Sequence, residues 1–315
     1  MVNQSCLDVS IILCTCDRPE MLRQTIESLV DIDCSGLSVE LLIVDNGQRS
    51  DVRDVAQNVS PAAPFEVVYL RQPNKGKARA YDEAFRHARG AIFVSTDDDV
   101  RFDAHWLTNL VAPLHEGKYA AVSGWIEMAA HLRRPWMTPG DHNFFACNHI
   151  DQQPNFPGLV GANMAMTREA ILQVGGFNEN LGPGALGFGE ETLFQYQLSE
   201  IGLLAGPAYD AKVEHHFDPR RLEFPAMLVA AYNYGRFNGY MAYHWFGAHC
   251  LTPKLRFAWK RSKLRRRLAM KPSISTLGID RVALRLSQGC GRMEQFRTES
   301  QEPRRYKHAV WSRWT

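Results

Sequence analysis

Residues 91–100, AIFVSTDDDV, constrain the fold more than any other stretch of the chain. Residues 91–94 are an apolar run of strand length, bounded by Gly90 and by the polar turn 95–99. The turn carries three consecutive aspartates, Asp97, Asp98 and Asp99. Adjacent carboxylates repel one another, and they are tolerated where solvent or a hard cation such as Mg2+ or Mn2+ screens them. The end of a strand in an α/β sheet is also where such folds put ligands. A solvated acidic turn is the plainer alternative.

The surrounding chain repeats the same unit. Apolar runs at 9–13 (VSIIL), 39–44 (VELLIV) and 65–70 read as strands, and 120–122 starts another. Between them lie helical patterns at 20–30, with Met21, Ile26, Leu29 and Val30 on one face, and at 75–89, with Ala78, Tyr81, Phe85 and Ala88. A further helix is predicted at 105–114. Strand–helix–strand repeats with short turns imply a parallel sheet covered by helices. The polar turns 15–19, 45–50 and 95–99 all follow strands, so they should meet at the carboxyl edge of one sheet.

Beyond residue 126 the pattern loosens. Residues 128–157, rich in Pro, His, Asn and Trp, read as a long loop or lid. Helices are predicted at 168–174, ended by Gly175-Gly176, and at 190–201, ended by Gly202, with a glycine-rich segment at 178–189 between them. From 221 onward the expectation is helices followed by a basic tail. Residues 224–251 have Arg236 as their one formal charge but also Asn233, Asn238 and His244, and read as a packed or interfacial helix, not a span.

Charge is unevenly distributed. Residues 220–315 hold 20 Lys and Arg against 5 Asp and Glu, whereas the preceding residues hold 16 against 29. An acidic body with a basic tail points to an anionic surface or partner for the tail. The seven cysteines show no paired CxxC spacing, and their odd number, with no secretory signal, favours a reducing cytoplasm.

Several motifs carry chemistry. The turn Cys14-Thr15-Cys16-Asp17-Arg18-Pro19 offers backbone groups to a base edge and Arg18 to a phosphate, while Asp17 could equally cap the helix that follows Pro19. Val44-Asp45-Asn46-Gly47 has turn residues after an anionic acceptor. Asn74-Lys75-Gly76-Lys77-Ala78-Arg79 opens a helix whose positive end suits a diphosphate. Glu190 and Glu191 stand before a helix, where acids also favour the N-terminus on their own account. Val213-Glu214-His215-His216 brings imidazoles to the end of a late strand. Residues 158–164 (GLVGANM) permit close backbone approach, and Trp125 and Trp136 offer stacking faces, though core packing explains either alone.

In this order the motifs resemble those of the family 2 glycosyltransferases, over roughly residues 8–222. The resemblance implies an α/β fold of the GT-A, Rossmann-like type: a mostly parallel sheet flanked by helices, with a helical basic C-terminal extension. It implies a catalytic domain over 1–220, with a nucleotide-sugar half at about 1–126 and an acceptor half at about 127–220, and the extension at 221–315. The activity implied is inverting transfer from a nucleotide-diphospho-sugar, by default a UDP-sugar, to an acceptor hydroxyl, with Mn2+ or Mg2+ as cofactor. Thr15, Cys16, Asp17, Arg18, Asp45, Asn74, Lys75, Gly76 and Lys77 would bind the nucleotide and its diphosphate. In the D-x-D run Asp97 would meet ribose and Asp99 the metal, with Asp98 among the nucleotide contacts but its role open. His215 would join Asp99, and Arg221 could meet diphosphate. Glu191 takes the position of the base and Glu190 is the second candidate, because Glu-Glu stands where the family usually has Glu-Asp. Gly161, Ala162, Asn163 and Trp125 fall to the sugar or acceptor.

Other classes fit less well. A sugar nucleotidyltransferase would favour a glycine-rich basic loop where this chain has CTCDRP, and a nicotinamide dehydrogenase would want G-x-G-x-x-G there. A non-catalytic membrane-associated scaffold on the same fold is the alternative of a different kind. In the tail, KRSKLRRR at 260–267 lies among apolar residues, of which Phe257, Leu264 and Leu268 share a narrow helical stripe while Leu255 and Trp259 fall elsewhere. This suits an interfacial helix at an anionic inner leaflet, where a lipid-linked glycan acceptor would be presented, ahead of nucleic acid as partner.

Overall fold

Strand β1 (Leu7–Thr15) lies between β2 (Val39–Asp45) and β4 (Gly90–Asp97), parallel to both. The structure is a computed structural model and describes residues 7–49, 51–59, 63–148, 156, 158–270 and 279–306. The chain divides into two compact units, residues 1–179 with 190–217, and residues 180–189 with 218–315.

The first unit is built on one eight-stranded sheet of order β3-β2-β1-β4-β7-β6-β8-β5. Its remaining strands are β3 (Glu66–Arg71), β5 (Val100–Phe102), β6 (Ala121–Met128), β7 (Asn163–Thr167) and β8 (Ala205–His215). From Val9 to Thr15 every residue of β1 is buried, as expected where helices cover both faces of a parallel sheet. Edge strand β3 has no fully buried residue.

Helices α1 (Pro19–Val30), α2 (Asp51–Val59), α3 (Lys77–His87) and α4 (Trp106–His115) connect these strands. Proline at the first turn of α1 suits a position whose N–H has no intrahelical partner. The face of α1 that enters the core is Leu22, Thr25, Ile26 and Leu29, so Met21 and Val30 are only half-buried. Helix α3 begins two residues later than its sequence pattern and buries Ala78, Ala80, Tyr81 and Ala84 against Ile12, Leu42 and Phe93.

The sheet is mostly parallel, as expected, but two features that the sequence pattern does not show matter for the site. First, β7 pairs antiparallel with both β4 and β6, and β5 pairs antiparallel with β8. Residues 163–167 (NMAMT) lack the β-branched runs of β1, β2 and β3, so the strand is illegible locally. Second, the loop expected over 128–157 contains a 3-10 turn (Ala130–Leu132) and a short helix, α5 (Pro139–Phe144), closed by a capping box between Thr138 and Asp141; residues 149–155 and 157 lie outside the described set. Helices α6 (Arg168–Val174) and α7 (Glu190–Glu200) follow.

The second unit contains α8 (Phe224–His244), α9 (Pro253–Met270) and α10 (Arg281–Glu299). Helices α8 and α10 touch backbone to backbone. A Cβ at Gly235 would lie 1.9 Å from the Gln288 carbonyl oxygen, and one at Gly291 2.0 Å from that of Tyr232. Glycine is therefore required at this crossing. Among the described residues no helix is long and apolar enough to cross a membrane.

Candidate functional site

Register puts the chemistry in one row. Thr15 pairs with Asp45 across β1 and β2, and Cys14 pairs with Asp97 across β1 and β4. The three polar turns therefore leave the sheet side by side, as the sequence predicts.

Behind this row the turns are tied to each other. The Asn46 amide donates to the carbonyls of Gln72 (2.8 Å) and Asn74 (2.7 Å), and its oxygen accepts from Gly76 N (2.7 Å). One side chain thus fixes the N-terminal approach to α3 against the end of β2. Sequence reasoning gave Asn46 only a turn role, and nothing local to the Asp-Asn-Gly motif reveals the partners. Asp45 is 1% exposed, and its two oxygens accept from Gly47 N and the Tyr69 hydroxyl, each at 2.8 Å.

Asp17 does not cap α1. It sits at φ 57°, and its Oδ1 accepts from Gln48 N (2.5 Å) and Arg49 N (2.9 Å), which lowers its pKa. The carboxylate pins the turn after β2 to the turn after β1, and the N-cap of α1 is Arg18, without a side-chain cap. A Cβ at Gly47 would come within 2.5 Å of Asp17 N, so this contact also dictates the glycine. The Cys16 side chain is exposed and its thiol points to the Asn46 carbonyl at 3.7 Å. Asn74 and Lys75 are exposed at the rim.

The three aspartates have three environments. Asp97 is half-buried and accepts from Lys77 Nζ at 2.5 Å. Lys77 is itself largely covered; burial opposes its charge, but the Asp97 carboxylate outweighs this and its pKa is raised. Asp98 is fully buried. It accepts from the Thr15 hydroxyl (2.6 Å) and Arg18 Nε (3.1 Å), pairs with Arg18 Nη2, and its carbonyl accepts from Thr25 (2.7 Å). Burial pushes its carboxyl up to about 7, against the pull of Arg18. Asp99, 2% exposed, meets Arg18 Nη1 at 2.9 Å through Oδ2 and His215 Nε2 at 3.3 Å through Oδ1. Burial would lower the His215 pKa, but Asp99 overrides it and raises the imidazole to about 10. His216 turns away to Glu214 at 2.8 Å, so of the two adjacent histidines His215 is the one that faces the aspartates.

Asp99 and His215 are the pair that could hold a cation. Among the described residues no three His, Cys, Asp or Glu side chains converge on one point. A hard divalent ion on one carboxylate and one imidazole would complete its shell with oxygens from a bound ligand and water, which is the usual arrangement for Mg2+ or Mn2+ on phosphates. The residues present fit such an ion provided that His215 gives up the proton that Asp99 stabilises, since only a neutral imidazole can be a ligand.

Glu190 opens α7 at 4% exposure, whereas Glu191 is half-buried. Burial, then the adjacent Glu191 carboxylate, raises the Glu190 pKa well above the usual carboxylate range, while Lys77 pulls it down. Glu190 shares a side-chain hydrogen bond with Glu191. Glu191 Oε2 has no hydrogen-bond partner among the described residues.

The residues expected to meet sugar or acceptor divide. A Cβ at Gly161 would lie 2.9 Å from Lys77 Nζ, so this backbone does pass close to the charged row. Ala162 is buried and contributes its carbonyl to Thr96 at 3.0 Å. Asn163 is corrected to a framework residue. It is fully buried, its oxygen accepts from Trp106 Nε1 (2.8 Å), and its amide donates to the Trp125 (3.1 Å) and Ala211 (2.9 Å) carbonyls, leaving nothing for a sugar. Trp125 is 5% exposed with Tyr209 edge-on against it, so it does not present an open stacking face. It does border a cavity of about 490 Å³ shared with Met128, Arg133, Arg134, His142 and Asn148. That cavity adjoins the aspartate corner: Met128 pairs with His215 across β6 and β8, and Cys147 Sγ lies 3.6 Å from His215 Nδ1. Arg221 belongs to the second unit.

Comparison with known proteins agrees with this geometry. The family model described as Glycosyl transferase family 2 matches residues 10–175, just over half of the chain. The succinoglycan biosynthesis protein ExoM of Rhizobium meliloti (strain 1021) is 27% identical over 143 residues, 45% of this chain and 46% of its own length. The glucosyl-dolichyl phosphate glucuronosyltransferase of Haloferax volcanii is 25% identical over 187 residues, 56% of this chain and 58% of its own. The chain thus spans about half the length of the curated relatives it matches. Among solved structures, the mannosyltransferase PcManGT from Pyrobaculum calidifontis, in complex with GDP-Man and Mn2+, superposes with TM-score 0.61 at 16% identity, covering 94% of this chain and 87% of its own. GalNAc-T7 with UDP, GalNAc and Mn2+ gives TM-score 0.54 at 14% identity, with 94% and 57% coverage. At these identities the superpositions show a shared fold.

Proposed function

The chain belongs to glycosyl transferase family 2, and from that premise we propose that it moves a sugar from a nucleotide-diphospho-sugar to an acceptor hydroxyl with inversion. The observation that carries this reading is the meeting of Arg18, Lys77, Asp97, Asp98, Asp99 and His215 at one sheet edge. Two cations and a cation-competent carboxylate–imidazole corner suit a diphosphate, the group that must leave with negative charge. The solved GDP-Man and UDP complexes of the same fold support a nucleotide-sugar donor, with UDP as the default nucleotide.

Each side chain then has a task. Asp45 and Asp97 receive the nucleoside, held by the Asn46 scaffold. Arg18 and Lys77 attract the diphosphate. Asp99 and His215 would hold Mn2+ or Mg2+, which when bound would stabilise charge on the departing phosphate. Glu191 takes the proton of the attacking hydroxyl, as the half-buried member of the acid pair with an unpartnered oxygen. Glu190, through its hydrogen bond to Glu191, orients that carboxylate. The cavity bordered by Trp125, Arg133 and Arg134 receives the acceptor. In this reading residues 1–220 form the catalytic domain, with donor and acceptor halves meeting near residue 126, and residues 221–315 are an extension. The acceptor is a lipid-linked glycan, and the enzyme works as a peripheral protein on the cytoplasmic face of a membrane.

A screen of nucleotide-sugars for binding and slow hydrolysis, with Mn2+ and with chelator, tests the proposal. Metal-dependent turnover of at least one donor is expected. Absence of binding across UDP-, GDP- and TDP-sugars would overturn it in favour of a non-catalytic protein on the same fold.

A further inference from the structure

Helix α9 has the sequence PKLRFAWKRSKLRRRLAM, with eight lysines and arginines and no acid. Arg267 pairs with Asp280 at 2.7 Å; none of the other seven has a carboxylate partner among the described residues. Like charges three and four positions apart on a helix repel one another. An isolated, solvated α9 is therefore electrostatically unfavourable unless an anionic surface faces it.

The apolar residues of this region point two ways. Phe257 and Leu264, half-buried, border a cavity with Tyr232, Cys290 and Glu294, so they face the other helices of the second unit. The Phe257–Leu264–Leu268 stripe expected to meet a membrane is thus turned inward, and Leu268 is likewise half-buried. The exposed set is different. Leu251 is 98% exposed, Leu255 70% and Trp259 56%. On α9 Leu255, Trp259 and Lys263 are each four apart, with the Lys263 ammonium 3.8 Å from the centre of the Trp259 ring, and Leu251 lies just before the helix. The helical residues share one outward stripe, flanked by Lys254, Arg256, Arg265 and Arg266, all exposed.

We propose that this outward face of α9 is a docking surface for an anionic lipid bilayer, with Leu251, Leu255 and Trp259 entering the headgroup–acyl boundary and the flanking lysines and arginines meeting lipid phosphates. The chemistry singles out a bilayer: one face combines large apolar side chains, an aromatic ring suited to the headgroup level and excess positive charge. Nucleic acid would satisfy the charge but would leave Leu251 and Leu255 in water. The inference deepens the peripheral location proposed above and names the surface responsible. It is tested with no donor or acceptor present, so its failure and that of the transferase reading are separable.

The experiment is co-sedimentation of the full chain with phosphatidylcholine vesicles, with and without phosphatidylglycerol. Binding is expected to the anionic vesicles and to fall steeply as salt is added. The paired change Leu255→Ala with Trp259→Ala is expected to weaken binding by about tenfold or more through lost apolar burial. Lys263→Glu with Arg266→Glu, which leaves the apolar row intact, should weaken it by a similar factor and flatten the salt dependence. Far-UV circular dichroism of each variant excludes unfolding as the cause. Equal binding to neutral vesicles, or unchanged binding in both variants, would overturn the proposal. So would tighter binding to a short DNA duplex that displaces the vesicles.

Discussion

Arg18 Nη1 stands 2.9 Å from Asp99 Oδ2, and the same guanidinium reaches Asp98 through Nε at 3.1 Å. One arginine, 39% exposed, balances two carboxylates that are themselves almost wholly buried. Together with the His215 imidazole, which faces Asp99, it offsets much of the negative charge at the end of β4. The same guanidinium is held by Oδ2 of Asp99 while His215 faces Oδ1, so Arg18 would compete with any cation held by Asp99.

Removing Arg18 should therefore have opposite effects on fold and metal. Arg18→Ala is expected to lower stability by about 1–2 kcal/mol at neutral pH, less than a fully buried pair would cost because the arginine is partly solvated. Urea unfolding measures it, and the deficit should shrink in acid as Asp98, whose carboxyl burial raises to about 7, protonates. Mn2+ affinity, followed by electron paramagnetic resonance, should rise in the same variant, whereas UDP affinity should fall. A drop in both affinities would mean that Arg18 builds the metal corner instead of competing for it.

Metal dependence should trace to two residues. Asp99→Asn and His215→Ala are each expected to abolish the gain in UDP affinity that Mn2+ provides, and chelator should reduce the native protein to the same level. Calorimetry with and without Mn2+ reads this directly. A metal-dependent gain surviving in both variants would remove them as ligands.

The two glutamates should separate cleanly. Glu191→Gln is expected to lower kcat by roughly 10²–10⁴-fold with little change in donor affinity, the range for loss of a general base. Glu190→Gln should keep donor binding and raise stability at neutral pH. The sign follows from burial: the Glu190 carboxyl is raised above its ordinary 4.5, so the fold favours the protonated form. Its contribution is fully present below 4.5 and is lost as pH rises through the folded value, because the unfolded chain ionises first. The advantage of glutamine over glutamate should therefore grow on going from pH ~4 to pH ~8, as measured by thermal unfolding across pH.

Asn46 makes three hydrogen bonds that join β2 to the loop before α3. Asn46→Ala is expected to cost about 2–4 kcal/mol, since each lost bond leaves a backbone group to find water. Donor KM should rise well before kcat falls, because Gly76 and the start of α3, which carries Lys77, lose their fixed position. Steady-state kinetics at several donor concentrations separates the two parameters.

Much of this architecture is written locally. The runs 9–13, 39–44 and 91–94 are apolar over strand length and end in polar turns, so β1, β2 and β4 and the row Thr15, Asp45, Asp97–Asp99 follow from short-range pattern alone. Proline at 19 likewise marks the start of α1. These features are legible because periodicity and turn chemistry act over a few residues.

What the sequence by itself determined, then, was the strand-turn-helix order, the carboxylates at the sheet edge and the charge carried by the tail. Tertiary structure alone decided the rest. Asp17 turned out to bind a turn 31 residues away instead of capping its own helix. Asn163 was drawn into the framework because β7 inserts antiparallel between β4 and β6. Asp98 became the aspartate held by Thr15 and Arg18, and Asp99 the one that faces His215. In α9 the inward stripe was chosen by the helices packed against it, leaving Leu255 and Trp259 outside. In each case the deciding partner is distant in sequence, and a side chain's hydrogen bonds and burial are set by what the fold brings beside it, which no local pattern encodes.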